Sequence, residues 1–235
     1  MTTLSTPAKL LQQLDLHRKW LEEQEEGVRL VAEGENFSEV RLSKVDLRAA
    51  QLARSLFLEA ELPGSSLHMA DLTECDFRRA LLTGADLSGA RFDRTVFMGA
   101  FLNAVILSDS TMTAVNLSYT EMREAMLQGA KFRQCAFTQA NLSQVSAQQA
   151  QWTECDLTDA NLTDANLFRA TLIASVCSYE NRDELPCGRG PLAARNRGSN
   201  TCRARIFSCS PSAASKAALG PPSFRSCICC RYRIK

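Results

Sequence analysis

The chain has 235 residues, a net charge of +1 and 45% hydrophobic residues, which is enough apolar material for one sizeable core. The near-neutral total hides three unlike segments, because residues 1–34 carry a net charge of −2, residues 35–175 of −5 and residues 176–235 of +8. No apolar run approaches the length of a transmembrane segment, and the N-terminus lacks the basic-then-apolar order of a signal peptide. We therefore expect a cytoplasmic protein, with export by a signal-less secretion system left open.

Residues 6–26 predict an α-helix inside an N-terminal segment that spans residues 1–34. Thr6 can cap this helix, Pro7 suits its first position and Gly27 is a residue that commonly ends helices. The apolar positions form one stripe, and the glutamates of the last two turns stay in water. The members of the stripe are Leu10, Leu11, Leu14, Trp20 and Leu21.

A period of five residues then runs without a slip from Phe37 to Leu172. Of the 28 positions in this series, 24 are Leu or Phe, and the residue two before each is small from Val40 to Ala170. Five residues advance an α-helix by about 500°, which gives no stripe, and an odd spacing on a strand sends successive side chains to opposite faces. The chain can bury this series only if it turns between its members, so each five-residue unit is one side of a closed coil.

The distribution of phenylalanine indicates four sides per coil. Five of the seven Phe residues in the series lie in one column of residues spaced 20 apart, from Phe37 to Phe137. Stacked rings of neighbouring coils gain from aromatic packing, which favours such a column. The small residues two positions before this phenylalanine column form a column of their own, which we call the small column. It has no alanine and consists of Ser55, Cys75, Thr95, Val115, Cys135 and Cys155.

Segments such as Ala70–Glu74 (ADLTE), Ala85–Gly89 (ADLSG) and Ala160–Asp164 (ANLTD) resemble the A(D/N)LXX motif of the pentapeptide-repeat family. The resemblance continues in register over the whole series from Phe37 to Leu172. It implies an all-β solenoid over residues 35–175, a right-handed quadrilateral β-helix of about seven coils with an N-terminal α-helical cap and an irregular C-terminal tail.

Two interpretations of the N-terminal helix follow. Because an open solenoid end exposes apolar core and unpaired strand edges, the helix could cover the first coil around Phe37 and Leu42. Alternatively it binds a partner, and its cluster of His17, Arg18, Lys19 and Trp20 lies on the surface. We favour the first.

Residues 176–235 form a tail of another composition, rich in Arg, Ser, Gly and Cys and without a structural period. Such a segment is expected to stay disordered. We favour an out-of-frame or read-through terminus that leaves the last coil uncapped. A nucleic-acid-binding arm around Arg195–Arg205 and a metal site at Cys227, Cys229 and Cys230 are the weaker alternatives.

The repeats offer no catalytic constellation, so no enzyme activity, cofactor or metal is expected. The chain has two histidines, His17 and His68, and none of the common nucleotide-binding or hydrolase motifs. Asp and Asn recur before the large residue at the repeat period, which indicates that they bind turn backbone. Cys135 and Cys155 fall on adjacent coils, where packed thiols are favoured over a disulfide in a reducing compartment.

Departures from the polar outward pattern are the best candidates for a functional site. Apolar residues replace Asp or Asn before the large residue at several positions of the middle coils, and a patch of this kind commonly marks a contact surface. Strand propensity alone is the alternative explanation. The predicted protein-binding patch consists of Leu81, Val96, Met98, Phe101, Ile106 and Met126.

These features favour a protein–protein interaction scaffold, and the family resemblance implies a bacterial origin and an association with secretion or a role as an effector. Its protein partner is not specified by the sequence, direct nucleic-acid binding is not expected, and a homodimer is compatible with apolar solenoid ends. The alternative implied by the family is a DNA-mimicking inhibitor or protector of DNA gyrase. Interspersed arginines such as Arg78, Arg79, Arg91 and Arg94 count against that alternative.

Overall fold

The computed structural model describes residues 7–177 and 227–233. One helix, α1 (Pro7–Leu21), precedes a parallel β-helix in which residues 20 apart in sequence are neighbours. The first bridge joins Val31 to Gln51, and the same spacing continues on all four faces. The expected quadrilateral β-helix is therefore confirmed, since each bridge joins positions that are four five-residue repeats apart.

Continuous strand pairing is confined to one face. There β1 (Arg91–Asp93), β2 (Thr111–Thr113), β3 (Lys131–Arg133), β4 (Gln151–Thr153) and β5 (Thr171–Cys177) pair in parallel in chain order. These strands cover about four turns, fewer than the seven coils expected, and single-residue bridges alone connect the coils before Arg91. Single residues form these bridges because the tight turn at most corners leaves only one residue of each repeat free to pair with the next coil.

The large and small residues of every repeat point inward. Large side chains from Leu47 to Leu157 in this series are at most 3% exposed, whereas Leu42 and Leu162 near the two ends are partly buried. The phenylalanine column stacks as expected, with ring centroids 4.9, 4.5 and 5.0 Å apart along Phe37, Phe57, Phe77 and Phe97. Because each coil packs only on its neighbours, stability accumulates along the stack.

Each corner places one residue in the left-handed region of backbone conformation. From Glu39 to Arg169, every residue two after the large one has a φ between +53° and +69°. At most corners the next N–H donates to the carbonyl of the large residue, as Ala100 N does to Phe97 O at 2.8 Å. This is a type II β-turn, which favours glycine at its third position. The sequence alone does not reveal this turn, because most of these positions hold residues other than glycine.

Exchanging glycine and alanine at one corner of adjacent coils is expected to change stability in opposite directions. Gly84 has a φ of +66° and open space where a Cβ would lie, and Ala104, one coil on, has a φ of +54°. We expect Gly84→Ala to lower the free energy of unfolding by about 0.5–1 kcal/mol and Ala104→Gly to raise it similarly. Urea denaturation of both variants measures this. Ala100→Gly, at a buried inward site, is the control and should destabilise; stabilisation by all three changes or by none would contradict the interpretation.

The Asp and Asn residues before the large positions bind turn backbone, as expected. Asp71 Oδ1 accepts a hydrogen bond from Thr73 N at 3.1 Å, and Asn161 Oδ1 accepts one from Thr163 N at 3.0 Å. The same bond recurs on several other coils, for example at Asp86 and Asp156. These carboxylates are therefore part of the turn architecture.

Except for Val115, the small column without alanine donates side-chain hydrogen bonds to carbonyls of the preceding coil. Thr95 Oγ1 donates to Leu72 O at 2.8 Å, and Cys75 Sγ donates to Leu52 O at 3.0 Å. Cys135 and Cys155 are likewise free, buried thiols that donate to backbone carbonyls. Burial raises the pKa of the Cys75 thiol to about 12. Packed thiols, the favoured alternative to a disulfide, are what the structure contains.

Helix α1 ends earlier than predicted. It stops at Leu21 rather than residue 26, and Glu23 N and Gln24 N donate to Trp20 O and Lys19 O. With a φ of +56° at Glu23, this is a Schellman motif whose left-handed residue is not glycine. Gly27 therefore has another role: a Cβ there would lie 2.4 Å from Trp20 Cα, so the chain passes against the helix backbone where only glycine fits. The predicted cap Thr6 lies outside the described residues.

The predicted surface cluster His17–Trp20 is only partly on the surface, because Arg18 and Trp20 are exposed whereas His17 is buried. His17 is fully buried, its Nδ1 accepts a hydrogen bond from Leu30 N at 3.0 Å, and its ring stacks on Trp20 at 5.6 Å. Arg18 pairs with Asp15 and Glu22 on the helix surface. Together with the contacts of Leu10 and Leu14 with the core, this geometry docks α1 on the first coil. The boundaries predicted at residues 34 and 175 stay predictions.

The far end of the β-helix carries a strand that the sequence did not predict. Strand β6 (Cys227–Arg233) pairs antiparallel with β5, with Thr171 opposite Arg233 and Ser175 opposite Cys230. Strand β6 therefore covers the last coil on this face, and the expectation of an uncapped last coil is wrong here. The physical reason is that an exposed strand edge offers unpaired backbone groups to any segment within reach. Residues 178–226, with the predicted basic arm around Arg195–Arg205, lie outside the described part of the chain.

Candidate protein-binding surface

The predicted patch lies mainly on two adjacent faces of the middle coils. Leu81 bridges Phe101 on one face, and Ile106 bridges Met126 on the next. Phe101 is 46% and Met126 is 45% exposed, while Leu81 and Ile106 are half-buried beside them. These four residues form what we call the mid-coil patch.

The corner between the two faces has no long side chain at Gly84 or Ala104, so the mid-coil patch is continuous across this low corner. Gly84 and Ala104 occupy the outermost corner position of successive coils, each with a positive φ. Neither projects a long side chain above the corner. A partner segment could therefore contact Phe101 and Ile106 at the same time.

The other two predicted residues are placed differently. Met98, 38% exposed, lies on the corner that precedes the Phe101 face and extends the apolar area. Val96 is half-buried on the face before that corner, where its ladder neighbours are Asp76 and Asn116. The structure therefore joins Met98 to the mid-coil patch and separates Val96 from it.

Tyr119 is an exposed aromatic residue that the sequence analysis missed. It lies one coil beyond Gly99 on the corner that carries Met98, and it is 55% exposed. It stands at the left-handed turn position, with a φ of +61°, rather than before a large residue. A search of every outward position for aromatic residues would have found it.

Carboxylates border the mid-coil patch along both ladders. The order on the first face is Glu61, Leu81, Phe101 and Glu121, and on the second face Asp86, Ile106 and Met126. Arg123, on the intervening corner, lies 3.2 Å from Glu124 and also donates to Gln144. The surface is therefore apolar at its centre and negative where the ladders continue to Glu61, Glu121 and Asp86.

The described part of the chain contains neither a metal-binding cluster nor a helix that could span a membrane. No group of three or more His, Cys, Asp or Glu side chains among those residues is arranged to hold a metal ion. No described helix is long and apolar enough to cross a membrane. The fold and this surface together define a β-helical repeat protein with an exposed apolar patch.

The pentapeptide repeat model matches residues 41–79, 75–113, 106–144 and 135–172 with eight copies, and the chain belongs to this family. A sequence comparison with curated proteins gives no match.

Solved structures with a similar fold include HetL, a pentapeptide repeat protein involved in heterocyst differentiation regulation in the cyanobacterium Nostoc sp. strain PCC 7120. It is 20% identical over 72% of this chain and 96% of its own, with a TM-score of 0.40. QnrB1, a plasmid-mediated fluoroquinolone resistance protein, is 20% identical over 61% and 88%, with a TM-score of 0.44. Rfr23 from the cyanobacterium Cyanothece 51142 is 19% identical over 68% and 93%, with a TM-score of 0.34.

Proposed function

We propose that this protein is a non-enzymatic scaffold that binds another protein through the mid-coil patch. The observation that carries the proposal is the pairing of Leu81 with Phe101 and of Ile106 with Met126, which places exposed apolar side chains on two adjacent faces. Exposed apolar clusters with polar borders are typical of protein contact sites. A cytoplasmic location, with export by a signal-less system as the alternative, is part of the proposal.

The β-helix suits this role because it holds the patch rigidly. Phe101 N donates to Ala80 O at 2.9 Å and Ile106 N donates to Ala85 O at 2.9 Å, so both residues are fixed to the preceding coil. Their inward neighbours Leu102 and Leu107 are at most 1% exposed. A preorganised surface loses little conformational entropy when it binds, which favours affinity.

We expect the double variant Leu81→Glu/Phe101→Glu to lose its partner. Introducing two charges at the centre of an interface should weaken binding by about 30-fold or more, the size of a hot-spot loss. The measurement is an affinity pull-down of the full chain from source-cell lysate with mass spectrometry, followed by titration of the purified partner.

The matched control is Leu56→Glu/Met69→Glu, which adds the same charges at exposed apolar residues outside the mid-coil patch. A partner retained by the parent and the control but lost by the test variant supports the proposal. Equal retention by all three proteins would overturn the role of the mid-coil patch.

The DNA-mimic alternative has less support, because arginines neutralise the acidic residues between coils. Arg79 pairs with Glu59, Arg94 with Glu74 and Arg54 with Glu33, each across one coil. A duplex-like surface needs an unbroken run of negative charge. Recovery of a gyrase subunit in the pull-down, insensitive to the mid-coil patch variant, would favour the alternative.

A further inference from the structure

We propose that the partner of the mid-coil patch presents an amphipathic segment whose apolar side chains are flanked by lysine or arginine. This inference rests on the proposed function and specifies the chemistry of the partner. Its basis is the charge that surrounds the exposed apolar residues.

The border of the mid-coil patch is acidic along its two ladders. Glu61 and Glu121 bracket the Leu81–Phe101 pair along one ladder, and Asp86 precedes Ile106 along the other. Asp109 follows on the corner after that second face. A partner covering both apolar pairs therefore places its flanking residues beside three or four carboxylates.

These carboxylates are only partly neutralised within the protein. Glu121 accepts a hydrogen bond from the Asn141 amide at 2.7 Å, and Asp86 accepts bonds from Ser88 N and Oγ, so neither of these interactions adds a positive charge. Glu61 does meet Arg41 at 3.2 Å, on the side away from Leu81.

No ladder position of the two patch faces between Glu61 and Ser146 holds Lys or Arg. The guanidinium of Arg123 on the corner is already engaged by Glu124 and Gln144. A partner with acidic flanks would thus meet unbalanced negative charge, whereas one with basic flanks would gain electrostatic complementarity.

The shape of the surface suits an amphipathic segment. The low corner at Gly84 and Ala104 lets one continuous element contact Phe101 and Met126 together. The apolar side of such an element would cover the aromatic and aliphatic residues, and its basic residues would reach Glu121 and Asp86. Apolar anchor residues are a common mode of peptide recognition, and here the carboxylates add a selection for a basic partner.

The test uses two fluorescein-labelled peptides with leucines at helical i, i+3, i+4 and i+7 spacing. One carries lysine at the remaining positions and the other carries glutamate. Fluorescence anisotropy with the full chain measures both affinities at low and at moderate salt. We expect the lysine peptide to bind at least tenfold more tightly than the glutamate peptide, with the difference decreasing as salt increases.

Three variants separate the contributions. Glu61→Gln/Asp86→Asn/Glu121→Gln removes the border charge with little change in shape, and it should weaken the lysine peptide about tenfold. Asp71→Asn/Glu74→Gln/Glu154→Gln changes the net charge equally on another face, and it should bind like the parent. Leu81→Ser/Phe101→Ser removes the apolar anchors without adding charge, and it should weaken both peptides about tenfold or more.

Each result bears on the inference. If both peptides bind equally, or both charge variants weaken the lysine peptide equally, the charge selection is wrong while apolar docking still stands. If the Leu81→Ser/Phe101→Ser variant binds the lysine peptide as the parent does, apolar docking, and with it the proposed function, fails. Binding of neither peptide overturns the inference and leaves the pull-down as the separate test of the scaffold.

Discussion

Replacing Phe77 by alanine is expected to lower the free energy of unfolding by about 3–5 kcal/mol, the largest stability change considered for this protein. The Phe77 ring is fully buried and stacks between Phe57 and Phe97, with centroids 4.5 and 5.0 Å away and interplanar angles of 7° and 9°. Truncation removes the buried area of the ring and both stacking contacts. The stacked coils cannot collapse into the cavity without breaking their register.

Equilibrium urea unfolding followed by circular dichroism measures this change. Phe101→Ala is the matched control, because its ring is 46% exposed on the outside of the coil, and it should cost less than about 1 kcal/mol. Phe77→Leu should fall between the two, since leucine occupies the large position in most other repeats. Equal destabilisation by Phe77→Ala and Phe101→Ala would contradict the inward placement of the phenylalanine column.

The docking of α1 is expected to weaken as pH falls below about 6.5 because of His17. Burial lowers the pKa of His17, the Asp46 carboxylate and the Arg48 backbone oppose this only in part, and the charges of Arg29 and Arg48 add to the lowering. The Nδ1 atom must be unprotonated to accept the Leu30 N–H, and Nε2 has no partner among the described residues. Protonation therefore removes a hydrogen bond and leaves a charge in a buried site.

The direction of the effect follows from proton linkage. The unfolded or undocked state binds a proton near the ordinary histidine pKa, and the docked state binds it only at lower pH. Stability from this group is thus complete above about pH 6.5 and decreases below it, by at most about 1.4 kcal/mol per pH unit. The pKa of several carboxyl groups, among them Asp46 and Asp156, is lowered in the folded protein, so their contribution to stability decreases only below about pH 4. The change in stability expected just below about pH 6.5 is therefore due to His17.

Trp20 fluorescence reports the docking, because its ring stacks on His17 and under the Arg29 guanidinium. The background variant Trp152→Phe removes the other tryptophan at a position where Phe92 and Phe132 occupy the same column. The Trp20 emission of this protein should change between pH 7 and pH 5. The control His17→Gln retains an acceptor but does not titrate, and an identical pH profile for both proteins would exclude His17 as the cause.

The sequence predicted the repeat architecture well because the signal is local and redundant. An apolar residue at each fifth position can be buried only by a turn in each repeat, and the phenylalanine column set the number of sides. The chemistry of the small column, with its hydroxyl and thiol donors, could not be derived in the same way. Those bonds depend on which carbonyls of the adjacent coil remain accessible.

The candidate site was predicted only in part for the same reason. The periodicity alone determined that Leu81, Phe101, Ile106 and Met126 stand outward and stack in pairs. Their exposed fractions, the separation of Val96 and the contribution of Tyr119 depend on neighbours in the adjacent coils and on the turn conformation, which only the tertiary structure shows.

Sequence by itself thus determined the coil, its inward residues and its outward ladders, because a five-residue period has one way to bury its apolar members. The tertiary structure decided what lies at the two ends and on the surface. His17 is buried because α1 folds back over the first coil, and β6 covers β5 because an open strand edge accepts a partner from distant sequence. Such contacts leave no periodic pattern in the sequence, so only the folded structure shows them.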